Sequence, residues 1–162
     1  MNANERAAAI ERYRDGPAAL REAWEASPEA CRQWRPAPEA WSAHEIIVHC
    51  ADSEANAYTR IRMLMAEPNA TIVGYDQDVW VDRFNYHARS IGSAFAVIES
   101  VHLHTSDMLP ILTDEDWGRA GTHSERGTYT AEDWLNDYSE HLFAHVSQIQ
   151  ANVAAWAAQS PE

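Results

Sequence analysis

Lysine is absent from this chain. All 12 of its basic residues are arginine, set against 25 acidic residues, for a formal net charge of -13. Such a surface repels phosphate backbones and no basic run offsets it, so nucleic acid is not expected as a partner. Cysteine is scarce. Cys31 and Cys50 are too few and too irregular for a disulfide framework, and they suit a reducing compartment. No apolar run approaches the roughly 20 residues needed to span a bilayer. The start, Met-Asn-Ala-Asn-Glu-Arg, has no signal-peptide core, so a soluble, cytoplasmic protein without a membrane partner is expected. Strand signals are also poor, with Thr71-Ile72-Val73 the one short candidate. The 162 residues suffice for one domain, 1–162, with a substantial core.

What the chain does hold is helical periodicity and tryptophan, seven in all, which belong in core or pocket walls. The pattern predicts four long helices. The first covers about Asn4 to Ala26, with Ile10, Tyr13, Leu20 and Trp24 facing the core and Asp15-Gly16-Pro17 expected to kink or split it. Residues 27–41, with Pro28, Pro36 and Pro38, read as a loop. The second helix starts on a capping box, Ser42 with Glu45, inside a hydrophobic staple of Trp41 and Ile46, and runs to about Glu67 before Pro68. The third covers about Ile91 to Leu109. The fourth starts on Thr130 with Asp133, flanked by Tyr129 and Trp134, and reaches about Ala158. Residues 113–129 read as a polar, turn-rich connection. The connection 68–90 is too long for a tight turn, with room for a short helix near Asp76–Tyr86. It lets the third helix start at the far end of the bundle, which predicts an all-α four-helix bundle in up-down-down-up order.

The chemistry lies in the histidines. His141 and His145, in His-Leu-Phe-Ala-His, are one turn apart on one helical face. They share it with Leu135, Tyr138, Leu142, Gln148 and Ile149, so the face is the buried one. Two imidazoles aimed into a core need partners, which either hydrogen bonds or one shared metal ion would supply. His49, on the second helix beside Ile46, also points inward or to a boundary. Glu45, one turn earlier, is a candidate to orient His49, and alternatively serves the cap alone. Asp52 is a candidate metal ligand or orienting group. His44-Glu45-Ile46-Ile47-Val48-His49 imitates a metalloprotease motif with one residue too many. Its histidines stand roughly 140° apart around the helix and cannot chelate one ion as an i,i+4 pair does. Of His102 and His104 at most one faces the core, and His87 and His123 are expected in solvent. Cys50 reads as a small core residue.

Trp41 to Glu54, with His44, His49 and Asp52 in it, resembles the second-helix motif of the DinB/YfiT-like family. His141 to Ile149 resembles that family's last-helix motif, and Tyr75-Asp76-Gln77-Asp78-Val79-Trp80 its crossover. The resemblance runs from Arg14-Asp15-Gly16-Pro17 to Ile149. It implies a four-helix bundle whose three histidines, here His49, His141 and His145, hold a divalent metal. Zinc or nickel leads, and iron, manganese and cobalt also suit such ligands. It also implies either thiol S-transfer with a low-molecular-weight thiol or metal-dependent hydrolysis, acting on a small-molecule substrate. Trp80, Asn85 and Arg89 are candidates to line the substrate pocket. Arg60, Arg62, Arg83 and Arg89 are the cations available to an anionic thiol, and Glu45, Asp52 and Asp76 the readable candidate bases. A non-catalytic metal or small-molecule binding bundle and a structural dimerisation domain remain open, and a homodimer is compatible with each.

Overall fold

The computed structural model describes residues 1–159. Residues 160–162, the tail of the expected 1–162 domain, lie outside the described residues. In chain order the elements are α1 (Ala3–Ala26), α2 (Ala43–Ala66), β1 (Thr71–Ile72), α3 (Gln77–Arg83), α4 (Ile91–Ser106), α5 (Asp114–Trp117), β2 (Ala120–His123), β3 (Gly127–Thr130) and α6 (Ala131–Gln159). Both expected start signals are present as hydrogen bonds. Glu45 N donates to Ser42 Oγ while Ser42 N donates to Glu45 Oε2, and Asp133 with Thr130 repeats the exchange at α6.

The four long helices pack in a ring, α1 against α6 and α4, and α2 against α4 and α6. Their contacts give their directions. Met1 pairs with Glu132 and Arg12 with Glu140, so α1 and α6 advance together. Trp134 Nε1 donates to Ala57 O while Asn152 Nδ2 reaches back to Trp41 O, so α2 and α6 run oppositely. Glu54 meets His102 and Arg62 meets Thr105, so α2 and α4 advance together. No helix among the described residues is long and apolar enough to cross a membrane.

Two apolar clusters fill the ring. One gathers Leu20, Ile46, Ile47, Phe95, Ile98 and Leu142, and the other Tyr13, Ile61, Leu64, Leu109, Trp134 and Leu135. Along α2 and α6 the switch between clusters falls at Glu54 and His141, and on α4 the first cluster ends at Ile98, one turn before His102. A polar layer therefore crosses the bundle between its two cores.

Three expectations need correction. The helix does not split at Asp15-Gly16-Pro17. α1 is continuous through Pro17, and Gly16 lets Leu142 come so close that a Cβ would lie 3.0 Å from its Cδ1. The connection 113–129 is not plain loop. It carries α5, capped by Thr113 with Asp116, and a hairpin in which β2 pairs antiparallel with β3 and parallel with β1, Thr71 opposite Thr122. β1 falls on the one expected strand candidate, Thr71-Ile72-Val73, whereas β2 and β3 are four residues long and mostly polar, so no apolar alternation announces them. His123 alternates inward on β2 and is buried, and His87 is half-buried with Nε2 2.8 Å from Ser42 Oγ, so neither is simply solvated.

Candidate metal centre

The centre forms where α2 and α6 face each other. The Ser42–Glu45 box fixes where α2 begins, and two turns later His49 falls on its inward face among Ile46, Ile47 and Cys50, 1% exposed. His141 and His145 come from α6, one turn apart. Ring centroids are 5.6 Å apart for His49 and His141, 4.9 Å for His49 and His145, and 4.7 Å for His141 and His145. One ring nitrogen from each lies within 4.8 Å of the others, a grouping that could hold a metal ion.

The hydrogen bonds around the three rings are uneven. His141 Nδ1 is 2.8 Å from Glu54 Oε1, and His145 Nδ1 is 2.9 Å from Gln148 Oε1. Both Nδ1 atoms thus face oxygen acceptors and carry protons, which leaves both Nε2 atoms as lone pairs in the neutral rings. Those two Nε2 atoms are 3.2 Å apart, with Ser53 Oγ 3.4 Å from that of His141. His49 is more extreme, because both its ring nitrogens are buried without a hydrogen-bond partner. A buried imidazole in that state has lost its hydration without compensation. Burial, followed by the charge of His145 and His141, pushes His49 down to about 2, and burial with His141 lowers His145 to about 4. Both are neutral near pH 7, the form that ligates a metal. Three ring nitrogens converge on one point, two of the rings held from behind by a carboxylate and an amide, in a grouping that could hold a metal ion.

Glu54 is 0% exposed. Burial alone would raise it, but hydrogen bonds and charge from His102 and His141 prevail and bring it to about 2. The Trp41 ring covers the centre, 4.6 Å from His49 by centroids, and its Nε1 donates to Asp78 Oδ1 at 2.9 Å. On the other side a cavity of about 220 Å³ opens at His141, with Ser53, Arg60, Tyr75, His123 and Tyr138 in its wall. Arg60 donates to Tyr138 Oη and Val73 O, both at 2.8 Å. The Tyr75 hydroxyl is buried beside Ser53 without a close hydrogen bond.

The other expected site residues lie elsewhere. Glu45 serves the cap and is clasped by Arg35, so it does not orient His49. Asp52 accepts from Tyr86 Oη at 2.5 Å and faces a different cavity of about 470 Å³, whose wall includes Trp80, Phe84 and Arg89 and none of the three histidines. Asn85 lines neither cavity and sits in the left-handed region at φ 47°. Asp76 caps α3. Arg60 alone of the four expected arginines borders the histidine cavity, joined by the unforeseen Arg126. Glu54, Gln148, Ser53 and Tyr75 were missed as site residues. Glu54 did carry a signal, since it shares the helical stripe of Cys50, Ala57 and Ile61 and so is a carboxylate on a core face. Gln148 follows His145 by three, one turn on.

The family model of the DinB superfamily matches residues 12–149. The chain belongs to the DinB superfamily. Among DinB relatives, a Bacillus subtilis protein named "Putative metal-dependent hydrolase YfiT" is 25% identical over 137 residues, 82% of this chain and 77% of its own. "Putative metal-dependent hydrolase OB0782" of Oceanobacillus iheyensis is 29% identical over 109 residues, 67% of this chain and 63% of its own. The present chain thus spans just under two thirds of that relative. The solved structure of YfiT, described as a probable metal-dependent hydrolase with an unusual four-helix bundle topology, superposes with a TM-score of 0.89 at 22% identity, covering 97% of this chain and 90% of that one. The DinB chain described here is accordingly a four-helix bundle.

Proposed function

We propose that this DinB-superfamily chain is a metal-dependent hydrolase acting on a small molecule, with His49, His141 and His145 as ligands of one divalent cation. The observation that carries the reading is His49, whose two ring nitrogens are buried and unpaired beside two further lone-pair nitrogens. Zinc and nickel suit three imidazoles best, and iron, manganese and cobalt are admissible. Bound there, a divalent cation keeps its full charge and supplies Lewis acidity to an oxygen or sulfur atom at its open positions.

The chain's own residues do the rest. Glu54 and Gln148 hold His141 and His145 by their Nδ1 protons and so aim their Nε2 atoms. Trp41 excludes water from one side of the centre. The cavity at His141 receives the substrate, where Tyr75 Oη offers an unused donor and Arg60 a positive charge beside developing negative charge. Water is the nucleophile this reading assigns, in keeping with the names of the relatives. A thiolate would suit the same centre, so thiol S-transfer is screened alongside. The contact directions of the long helices support an up-down-down-up bundle with the long crossover between α2 and α4, an order that sets α2 and α6 antiparallel at the centre.

The test is the metal content of untagged protein beside His49→Ala and His145→Ala, followed by ester, amide and thiol-transfer substrates. The expected result is about one equivalent of divalent metal, lost in both variants, with turnover that follows the metal. Protein that neither carries metal nor takes up added zinc or nickel would overturn the reading.

A further inference from the structure

A buried hydrogen-bond chain begins at the proline of α1 and ends at His141. Pro17 has no backbone N–H, so the carbonyl of Tyr13, four residues earlier, lacks its helical donor. His102 Nδ1 lies 3.0 Å from that oxygen. A carbonyl only accepts, so His102 Nδ1 carries a proton and donates it. The imidazole is 2% exposed and lies flat on the Tyr13 ring, centroids 4.0 Å apart at 12°. Its Nε2 is 2.9 Å from Glu54 Oε2, and Glu54 Oε1 is 2.8 Å from His141 Nδ1.

Fixing one end of such a chain fixes its direction. With Nδ1 protonated, His102 has two arrangements. Its Nε2 either accepts a proton held on Glu54 Oε2 or, protonated itself, donates to the carboxylate. Glu54 Oε1 carries no proton in either case, so it accepts from His141 Nδ1–H. The lone pair of His141 then sits on Nε2, the atom facing His145 Nε2. Without His102, Glu54 Oε2 would lose its partner and the carboxylate would be free to turn away from His141 Nδ1. His141 could then take the other tautomer, with its proton on Nε2, where it would block ligation.

We propose that His102 is a positioning residue of the metal centre. Anchored on the carbonyl that Pro17 leaves free, it holds Glu54 against His141 Nδ1 and so keeps His141 as the tautomer whose Nε2 is available to a metal. The consequence for metal binding rests on the proposed function, whereas the tautomer does not.

The experiment is long-range 1H–15N NMR on metal-free protein labelled with 15N-histidine, followed by zinc titration of wild type and His102→Leu. In wild type His141 is expected protonated on Nδ1 and bare on Nε2, with His102 protonated on Nδ1. In His102→Leu the His141 signals are expected to shift to the other tautomer or to an average, and zinc affinity to fall about ten- to a hundredfold. Wild-type His141 protonated on Nε2 overturns the proposal, whether or not the variant folds. So does a folded His102→Leu with unchanged tautomer and affinity. Wild type with the expected tautomers but no zinc binding overturns the proposed function and supports the hydrogen-bond chain.

Discussion

His145 Nε2 stands 3.2 Å from His141 Nε2, and each ring already donates its Nδ1–H to another acceptor. With both rings neutral, two lone pairs therefore face each other across a contact that a shared cation would relieve. Under the proposed function, a shared cation would remove this repulsion together with the cost of the unsolvated His49 beside it.

A ligating metal should accordingly raise thermal stability. At a free zinc concentration about 100 times Kd the gain is about 2.7 kcal/mol, several degrees in Tm for a chain of this size. Differential scanning fluorimetry with zinc, nickel and EDTA checks this. His49→Ala should lose the shift, and a wild type indifferent to every divalent metal would count against the site.

Acid should destabilise the metal-free protein early. His49 and His145 sit at about 2 and about 4 when folded, against 6.5 as the ordinary value. Below pH 6.5 the unfolded chain binds protons that the folded chain refuses, so stability falls as pH falls, by up to about 1.4 kcal/mol per pH unit for each histidine. Glu54, held at about 2 against an ordinary 4.5, contributes stability that is complete above 4.5 and lost on acidification towards 2. Urea melts at pH 7.5, 6 and 5 would show the decline, and His145→Ala should flatten it. A profile level from pH 7 to 4 would refute the assignment.

Removing the buried carboxylate should be costly. Glu54→Ala leaves His102 Nε2 and His141 Nδ1 without a partner in the polar layer, for a loss of about 3–5 kcal/mol in unfolding free energy. Glu54→Gln keeps an acceptor for one ring and should cost less. Equal losses in chemical denaturation would mean that the pairing contributes little.

Tyr75→Phe separates function from stability. Its hydroxyl makes no close hydrogen bond and has only Ser53 beside it, so its removal should leave Tm nearly unchanged. On a hydrolysed substrate kcat/KM should drop about tenfold, the value of one hydrogen bond of about 1.4 kcal/mol. Asp52→Asn, at the other cavity, should leave kcat/KM within about twofold. The reverse pattern would move the substrate to the Asp52 cavity.

The legible parts of this protein were local ones. The capping boxes at Ser42 and Thr130 announced α2 and α6 because a cap is a four-residue event, and both appear as hydrogen bonds. The i,i+4 pairing of His141 and His145 needs only helical pitch. Trp80, Asn85 and Arg89 were grouped by nearness in the crossover. Folding instead sends Trp80 and Arg89 to the α4 side of α2 and leaves Asn85 between helical turns, because nearness in sequence does not choose the face of a helix they meet.

Sequence alone therefore determined the four long helices, the starts of α2 and α6 and the pair of imidazoles on one face, since each follows from contacts within a few residues. The family resemblance already grouped His49 with that pair, and only the tertiary structure decided that Glu45 and Asp52 stay out of the group and that Glu54 supports it from behind. It alone joined Tyr13, His102, Glu54 and His141, whose contacts span 89, 48 and 87 residues. Pro17 shows the reason. Its missing N–H is visible in the sequence, but the donor that replaces it comes from a helix whose position depends on packing the whole bundle.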